Sequence, residues 1–177
     1  MKHGFAYLSQ NRFLSVPNDA STKPFGVAGI PYDGAVTNRP GARFAPAAIR
    51  QASQMLCDGI HPFFNTSPYE FIRDLGDLAT PNTDLTAMRA SLAEQVPALL
   101  AQYHMCWLGG DHSITLGLLR AYRAWAGQPL AVLHFDAHCD TWEDHFGEPS
   151  GHGTWVYEAI TEGLVDPESF VQVGIRS

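Results

Sequence analysis

Short apolar runs alternate with amphipathic stretches along this chain, and the alternation predicts strands and helices in turn. FGVAGI (Phe25 to Ile30) is the first predicted strand. A loop rich in Gly, Pro and Asn follows it, PYDGAVTNRPGARFAP, and leads into a helix from about Ala47 to Met55. A second strand is predicted over Phe71 to Leu75, closing in Gly76-Asp77. Between Asp84 and Gln102, Leu85, Met88, Leu92, Val96, Leu99 and Leu100 recur at intervals of three and four, which places them on one helical face. Pro97 falls within that stretch and is expected to bend or interrupt it. HMCWLGG reads as a buried strand ending in glycines, and Thr115 to Trp125 as the helix after it. LAVLHFDAH is the clearest strand of the chain, Thr154 to Glu162 a further helix, and FVQVGI (Phe170 to Ile175) the last strand. Strands that alternate with helices in this way predict an α/β domain built on a parallel sheet.

Composition narrows the class. The chain has 177 residues, 45% hydrophobic and 16% charged, enough apolar side chains for one globular domain with a real core. A formal charge of -7 argues against nucleic acid or an anionic membrane as partner and suits a small cationic ligand. The start, MKHGFAYLSQNRF, has no sustained apolar segment behind its basic residues, and no long apolar run occurs elsewhere. Neither export nor membrane spanning is predicted, and the cytoplasm is the expected compartment. Cys57, Cys106 and Cys139 are odd in number and form no CxxC, so free thiols are expected.

In an open parallel sheet, ligands gather beyond the carboxyl ends of the strands, which gives weight to polar residues directly after an apolar run. Two places qualify. In Gly109-Gly110-Asp111-His112-Ser113 the glycines permit a tight turn and put His112 where strand gives way to helix. In Asp136-Ala137-His138-Cys139-Asp140, a strand continuing through the motif would project Asp136, His138 and Asp140 on one face and turn Cys139 to the other, as a core or supporting residue. Such ionisable groups would repel one another without a cation between them, and a divalent metal is the simplest cation available. Carboxylate and imidazole donors without thiolate suit Mn(II) or a similar ion. Asp111 is read as a carboxylate that accepts backbone amide hydrogens at the helix start or holds a ligand histidine. His152, between Gly151 and Gly153 at the mouth of a helix, is either a surface-turn histidine or, beside a metal site, a group that exchanges protons with a leaving group.

These motifs resemble the ureohydrolase family, which contains arginase, agmatinase, guanidinobutyrase and formimidoylglutamase. The resemblance is carried by GIPYDGAVTNRPGARFAPAAIR (Gly29 to Arg50), GGDHS (Gly109 to Ser113), FDAHCDT (Phe135 to Thr141), GHGT (Gly151 to Thr154) and the closing VQVGIRS. It runs over nearly all of the chain from Phe25 on, and the GIPYDGA...PGAR loop with GHGT looks most like the agmatinases. It implies a three-layer α/β/α fold with a mainly parallel sheet, shared in outline with deacetylases, and two Mn(II) ions bridged by a hydroxide that attacks a guanidinium carbon. Carried over residue by residue, His112, Asp136 and Asp140 would hold one ion, Asp136 would bridge to a second also held by His138, and His152 would shuttle the proton. A homo-oligomer is also implied. A single-metal deacetylase is the less fitting relative.

The family carries a later D-x-D-x-x-D-P motif that this sequence lacks. Residues 25–177 are therefore read as the N-terminal part of a single ureohydrolase domain, incomplete at its C-terminal side, preceded by an extension over residues 1–24. With the ligands present, the chain by itself is expected to bind one metal weakly or none. Glu143, Asp144 and Glu148 in the loop before GHGT would favour a cationic tail if they line the pocket, which makes agmatine the expected substrate. The alternatives are guanidinobutyrate or another guanidino compound, and a catalytically inactive fragment that acts as a binding protein.

Overall fold

A computed structural model of the chain describes residues 11–17 and 23–177. Among the described residues five strands and four α-helices alternate: β1 (Phe25–Gly29), α1 (Ala45–Ser53), β2 (Ile72–Asp77), α2 (Leu85–Leu100), β3 (His104–Leu108), α3 (Ile114–Ala126), β4 (Leu130–Phe135), α4 (Trp155–Thr161) and β5 (Val165–Val173). Every strand pairing is parallel, as the helical crossovers require. β1 lies in the middle of a sheet in the order β2-β1-β3. Its run FGVAG is buried from the second residue on, the pattern of a strand covered on both faces.

The expected single sheet is divided. β4 and β5 pair with each other, and among the described residues no strand pairing joins them to β3. What connects the two sheets is α3. Its residues Ile114, Leu118 and Ala121 pack with Met88, Leu92, Val96 and Leu100 of α2 and with Met105 and Trp107 of β3. Leu116 and Leu119, from the same helix, pack with Trp155, Val156 and Ala159 of α4 and with Val132 and Phe170 of the second sheet. On the other face of β4 and β5, Leu133, Phe135, Val171 and Val173 alternate with these inward residues and are exposed.

Of the expected N-terminal extension, residues 1–10 and 18–22 lie outside the described residues, as does most of the start read for an export signal. Leu14 and Val16 are buried against Val27, Ile72 and Leu108.

Two local expectations are corrected. α2 runs on through Pro97 to Leu100 instead of being interrupted there. The proline sits in the last turn, where it forgoes one amide hydrogen bond, and the buried Val96 and Leu100 on either side hold the turn in place. β5 begins at Val165, not Phe170: the partner of Leu130 is Val165 and that of Val132 is Phe170, so residues 166–169 loop out of the pairing. Pro167 has no amide hydrogen to give the ladder, and Asp166 accepts from the Glu168 amide and the Ser169 hydroxyl within the loop. Cys57, Cys106 and Cys139 are free. No described helix is long and apolar enough to cross a membrane.

Candidate metal centre

The turn after β3 is built on contact between backbones. A side chain on Gly110 would collide with the carbonyl oxygens of Ile30 and Tyr32, which lie just past β1, so only glycine lets the two strand ends meet. Asp111 is buried. One of its oxygens accepts from the Ser113 amide at 2.9 Å, and the other accepts from the Ala35 amide at 2.9 Å. It thus fastens both the start of α3 and the long loop after β1, as expected of a carboxylate at a helix start. His112, between these anchored neighbours, faces the end of β4.

That end departs from the extended course assumed for it. β4 stops at Phe135, and Asp140 takes a left-handed backbone (φ 52°). Strand alternation therefore does not bring the acidic groups together; a turn does. His112 Nδ1 lies 2.8 Å from Asp140 Oδ2 and 3.4 Å from Asp136 Oδ2. The other oxygen of Asp136, Oδ1, accepts from the His138 amide at 2.9 Å and lies 3.3 Å from His138 Nδ1. The two oxygens of Asp136 thus face two different histidines. Burial works against its charge, but the His138 amide and the imidazoles of His112 and His134 outweigh that and hold its carboxyl below the ordinary carboxylate range.

His112, His134, Asp136 and Asp140 offer ligand atoms that all lie within 4.8 Å of one another. His138 is outside this tight group, with a side chain 70% exposed. Two carboxylates meeting on one imidazole nitrogen, partly withdrawn from water, form a donor set that fits a divalent cation. Thiolate is not part of it: the Cys139 sulfur sits 3.2 Å from the Thr141 hydroxyl. That hydrogen bond lowers the thiol's pKa. Nor does Cys139 turn away into the core, as an extended strand would have made it do. It lines a cavity of about 350 Å³ together with Thr37, His138, Asp140, Trp142, His152, Gly153 and Ser177.

His152 reaches this cavity from the turn before α4. Its Nε2 is 3.1 Å from the Thr37 hydroxyl, which the loop after β1 delivers across 115 residues of sequence. The loop is held in turn by Asp33, which accepts from the Gly41 amide at 2.6 Å and pairs with the Arg43 guanidinium. Behind His152 stands the buried ring of His145, edge to face at 4.6 Å. A side chain on Gly151 would strike that ring, which accounts for a glycine before His152. Burial, and after it the charge of His152, lower the pKa of His145. Of the acidic residues in the loop, Glu148 lines an adjoining cavity of about 340 Å³, which shares Thr37 with the first. Asp144 accepts from the Gly147 amide at 3.0 Å and Glu143 from the Tyr157 hydroxyl at 3.2 Å.

Pattern reading missed several groups at this site. Trp155 is buried, and its indole N–H donates to Asp140 Oδ2 at 2.7 Å. His134 was absorbed into the apolar run of β4, although it lies two residues before Asp136 and the strand period up to that point could have marked it. Thr37 and His145 carry no local signal, because their importance comes from contacts made across the fold.

The chain is similar to known proteins in both sequence and fold. The sequence pattern of the arginase family matches residues 23–177. An agmatinase of Chromobacterium violaceum is 44% identical over 155 residues, covering 85% of this chain and 48% of that protein. A guanidinopropionase of Pseudomonas aeruginosa is 37% identical over 174 residues, covering 93% of this chain and 52% of that protein. Among solved structures, proclavaminate amidino hydrolase from Streptomyces clavuligerus superposes with a TM-score of 0.85 at 36% identity, over 97% of this chain and 58% of that one. The chain thus spans about half the length of the curated relatives it matches. With helix and strand in the same order and a carboxylate–imidazole cluster at the same strand ends its motifs foretold, the chain belongs to the arginase family.

Proposed function

We propose that this chain carries the water-activating centre of a ureohydrolase, with agmatine as substrate and putrescine and urea as products. The observation that carries the reading is the convergence of His112, Asp136 and Asp140 at the ends of β3 and β4, beside a cavity that His152 also lines. His112, Asp136 and Asp140 would hold one Mn(II), and Asp136 would share a second with His138. The bound metal would supply a Lewis acid that makes water nucleophilic near neutral pH. Asp136 and Asp140 offer carboxylate oxygens where the cation is needed, and Trp142 and Gly153 line the cavity beside Asp140. His152, tethered by Thr37, would pass a proton to the departing amine.

The choice of agmatine rests on the tail of the substrate. Neither cavity is lined by Lys or Arg, and Glu148 lines the second, which favours a cationic tail over a carboxylate. The similarity to agmatinases points the same way. Urea release from agmatine, 4-guanidinobutyrate and arginine by the full-length gene product, measured with Mn(II), tests the assignment. Activity on agmatine alone is expected; cleavage of guanidinobutyrate alone rejects agmatine. The reading places the protein in the cytoplasm as a homo-oligomer.

A second reading is a catalytically inactive binding protein. The exposed apolar face of β4 and β5 favours it, since such a face calls for a partner. Urea release by the full-length gene product separates the two. The chain by itself is expected to bind one Mn(II) weakly or none, and stoichiometric binding of two ions would refute that count of ligands.

A further inference from the structure

His134 stands directly opposite Gln172 in the register of β4 and β5, and its side chain is buried. The Gln172 side-chain nitrogen lies 3.0 Å from His134 Nδ1 and 2.8 Å from the carbonyl oxygen of Cys139. A carbonyl oxygen only accepts, so the Gln172 atom that meets both is the amide nitrogen, which has two hydrogens to give. One goes to Cys139 and the other to His134 Nδ1. That nitrogen is therefore a bare acceptor, and the neutral ring carries its proton on Nε2. Nε2 is buried, has no hydrogen-bond partner within normal distance, and lies 3.5 Å from Asp136 Oδ2, the oxygen that also faces His112. The ring cannot easily turn away, because Trp155 meets it edge to face at 4.9 Å.

We infer that His134 is a positioning residue for the metal centre: its Nε2–H is aimed at Asp136 Oδ2 and keeps that carboxylate turned so that each oxygen faces its own histidine. The inference rests on the reading of the cluster as a metal site. By distance alone His134 could be counted among the ligands, but a metal ligand needs a lone pair, and Gln172 occupies the one the ring has. The arrangement is a donor behind a ligand carboxylate, which restricts the carboxylate's rotation and makes it ready for a cation before one arrives. Gln172, on the neighbouring strand, fixes the tautomer and at the same time ties down the turn through Cys139.

Long-range ¹⁵N–¹H spectra of the imidazole side chains in the metal-free protein read the tautomer directly. His134 is expected in the Nε2–H form; an Nδ1–H form overturns the inference. Mn(II) binding, followed by electron paramagnetic resonance, supplies the second readout. His134→Phe keeps a ring and removes the donor, and is expected to weaken Mn(II) binding about 10–100-fold. His134→Gln, whose amide can stand in for Nε2–H, is expected to recover most of that loss. Equal binding by His134→Phe and the parent, or equal loss in both variants, overturns the inference. Should His134→Phe fail to fold, Gln172→Leu leaves the histidine in place and releases its tautomer, and unchanged Mn(II) affinity there counts against it. Absence of Mn(II) binding by the parent chain accords with its incomplete ligand set and bears on the metal centre alone, and the tautomer then decides the role of His134: an Nε2–H form supports the inference and an Nδ1–H form overturns it.

Discussion

At the scale of single residues, the centre is surrounded by aromatic and imidazole rings whose polar atoms are spoken for one by one. Besides His134, His145 is an exception, with a buried Nε2 that has no hydrogen-bond partner and a ring pressed against His152. Its folded pKa lies below the ordinary 6.5, so its contribution to stability is complete above that pH. As pH falls below about 6.5 the unfolded chain takes up the proton first, and the contribution is lost on the way down to the folded pKa. Denaturant unfolding of His145→Phe should therefore show a flatter decline of stability between about pH 7 and pH 5 than the parent. Trp155 gives a second expectation. Trp155→Phe keeps an aromatic ring but removes the donor to Asp140, a loss of about 1.5–3 kcal/mol for a buried hydrogen bond to a charged group with the cost of the space left by the smaller ring added to it, readable in the same denaturant experiment.

At the scale of elements, the site depends on how strand ends and helix starts are forced together. Gly110 is the tightest point, with two carbonyl oxygens of the loop after β1 where a side chain would go. Gly110→Ala should cost about 1–3 kcal/mol in denaturant unfolding, because backbone must move to make room. The displaced turn should also weaken Mn(II) binding, since His112 follows it directly. α2 supplies a contrast: Pro97→Ala restores an amide hydrogen bond to the last turn and should raise the thermal midpoint, corresponding to a gain of up to about 3 kcal/mol. A fall in the midpoint would mean that the proline ring packs in a way the helix needs.

At the scale of the whole molecule, the first sheet is held by a buried ionic network centred on Arg50. From α1 its guanidinium meets Asp74 at 2.8 Å and also Asp77, both on β2, and neither it nor its partners reach solvent. Asp74 accepts in addition from the Phe13 amide at 2.6 Å, which ties the segment before β1 into the same network. Burial disfavours the charge of Arg50, but its hydrogen bonds to Asp74 and Asp77 outweigh that and raise its pKa, so it remains a cation throughout. Arg50→Met strands two carboxylates in the interior, and about 3–5 kcal/mol of stability should be lost in thermal or denaturant unfolding. The closing arginine of the long loop motif thus serves the fold and stands apart from the metal centre.

The sequence by itself determined the order of elements, the parallel connectivity, the family, and the motifs that meet at the centre. These follow from hydrophobic period and from short local patterns, which one chain displays openly. His112, Asp136 and Asp140 were legible because they follow apolar strands directly. Tertiary structure alone decided the rest. The turn after Phe135 replaced an extended strand, so Cys139 came to the cavity and His138 to the surface, because the left-handed Asp140 bends the chain towards Trp155. The sheet was divided because backbone pairing depends on what lies beside β3 and β4 in space, which their own side chains do not encode. His134, Thr37, His145 and Trp155 gained their places through contacts between distant segments, and a hydrogen bond that spans 115 residues leaves no periodic trace in the sequence.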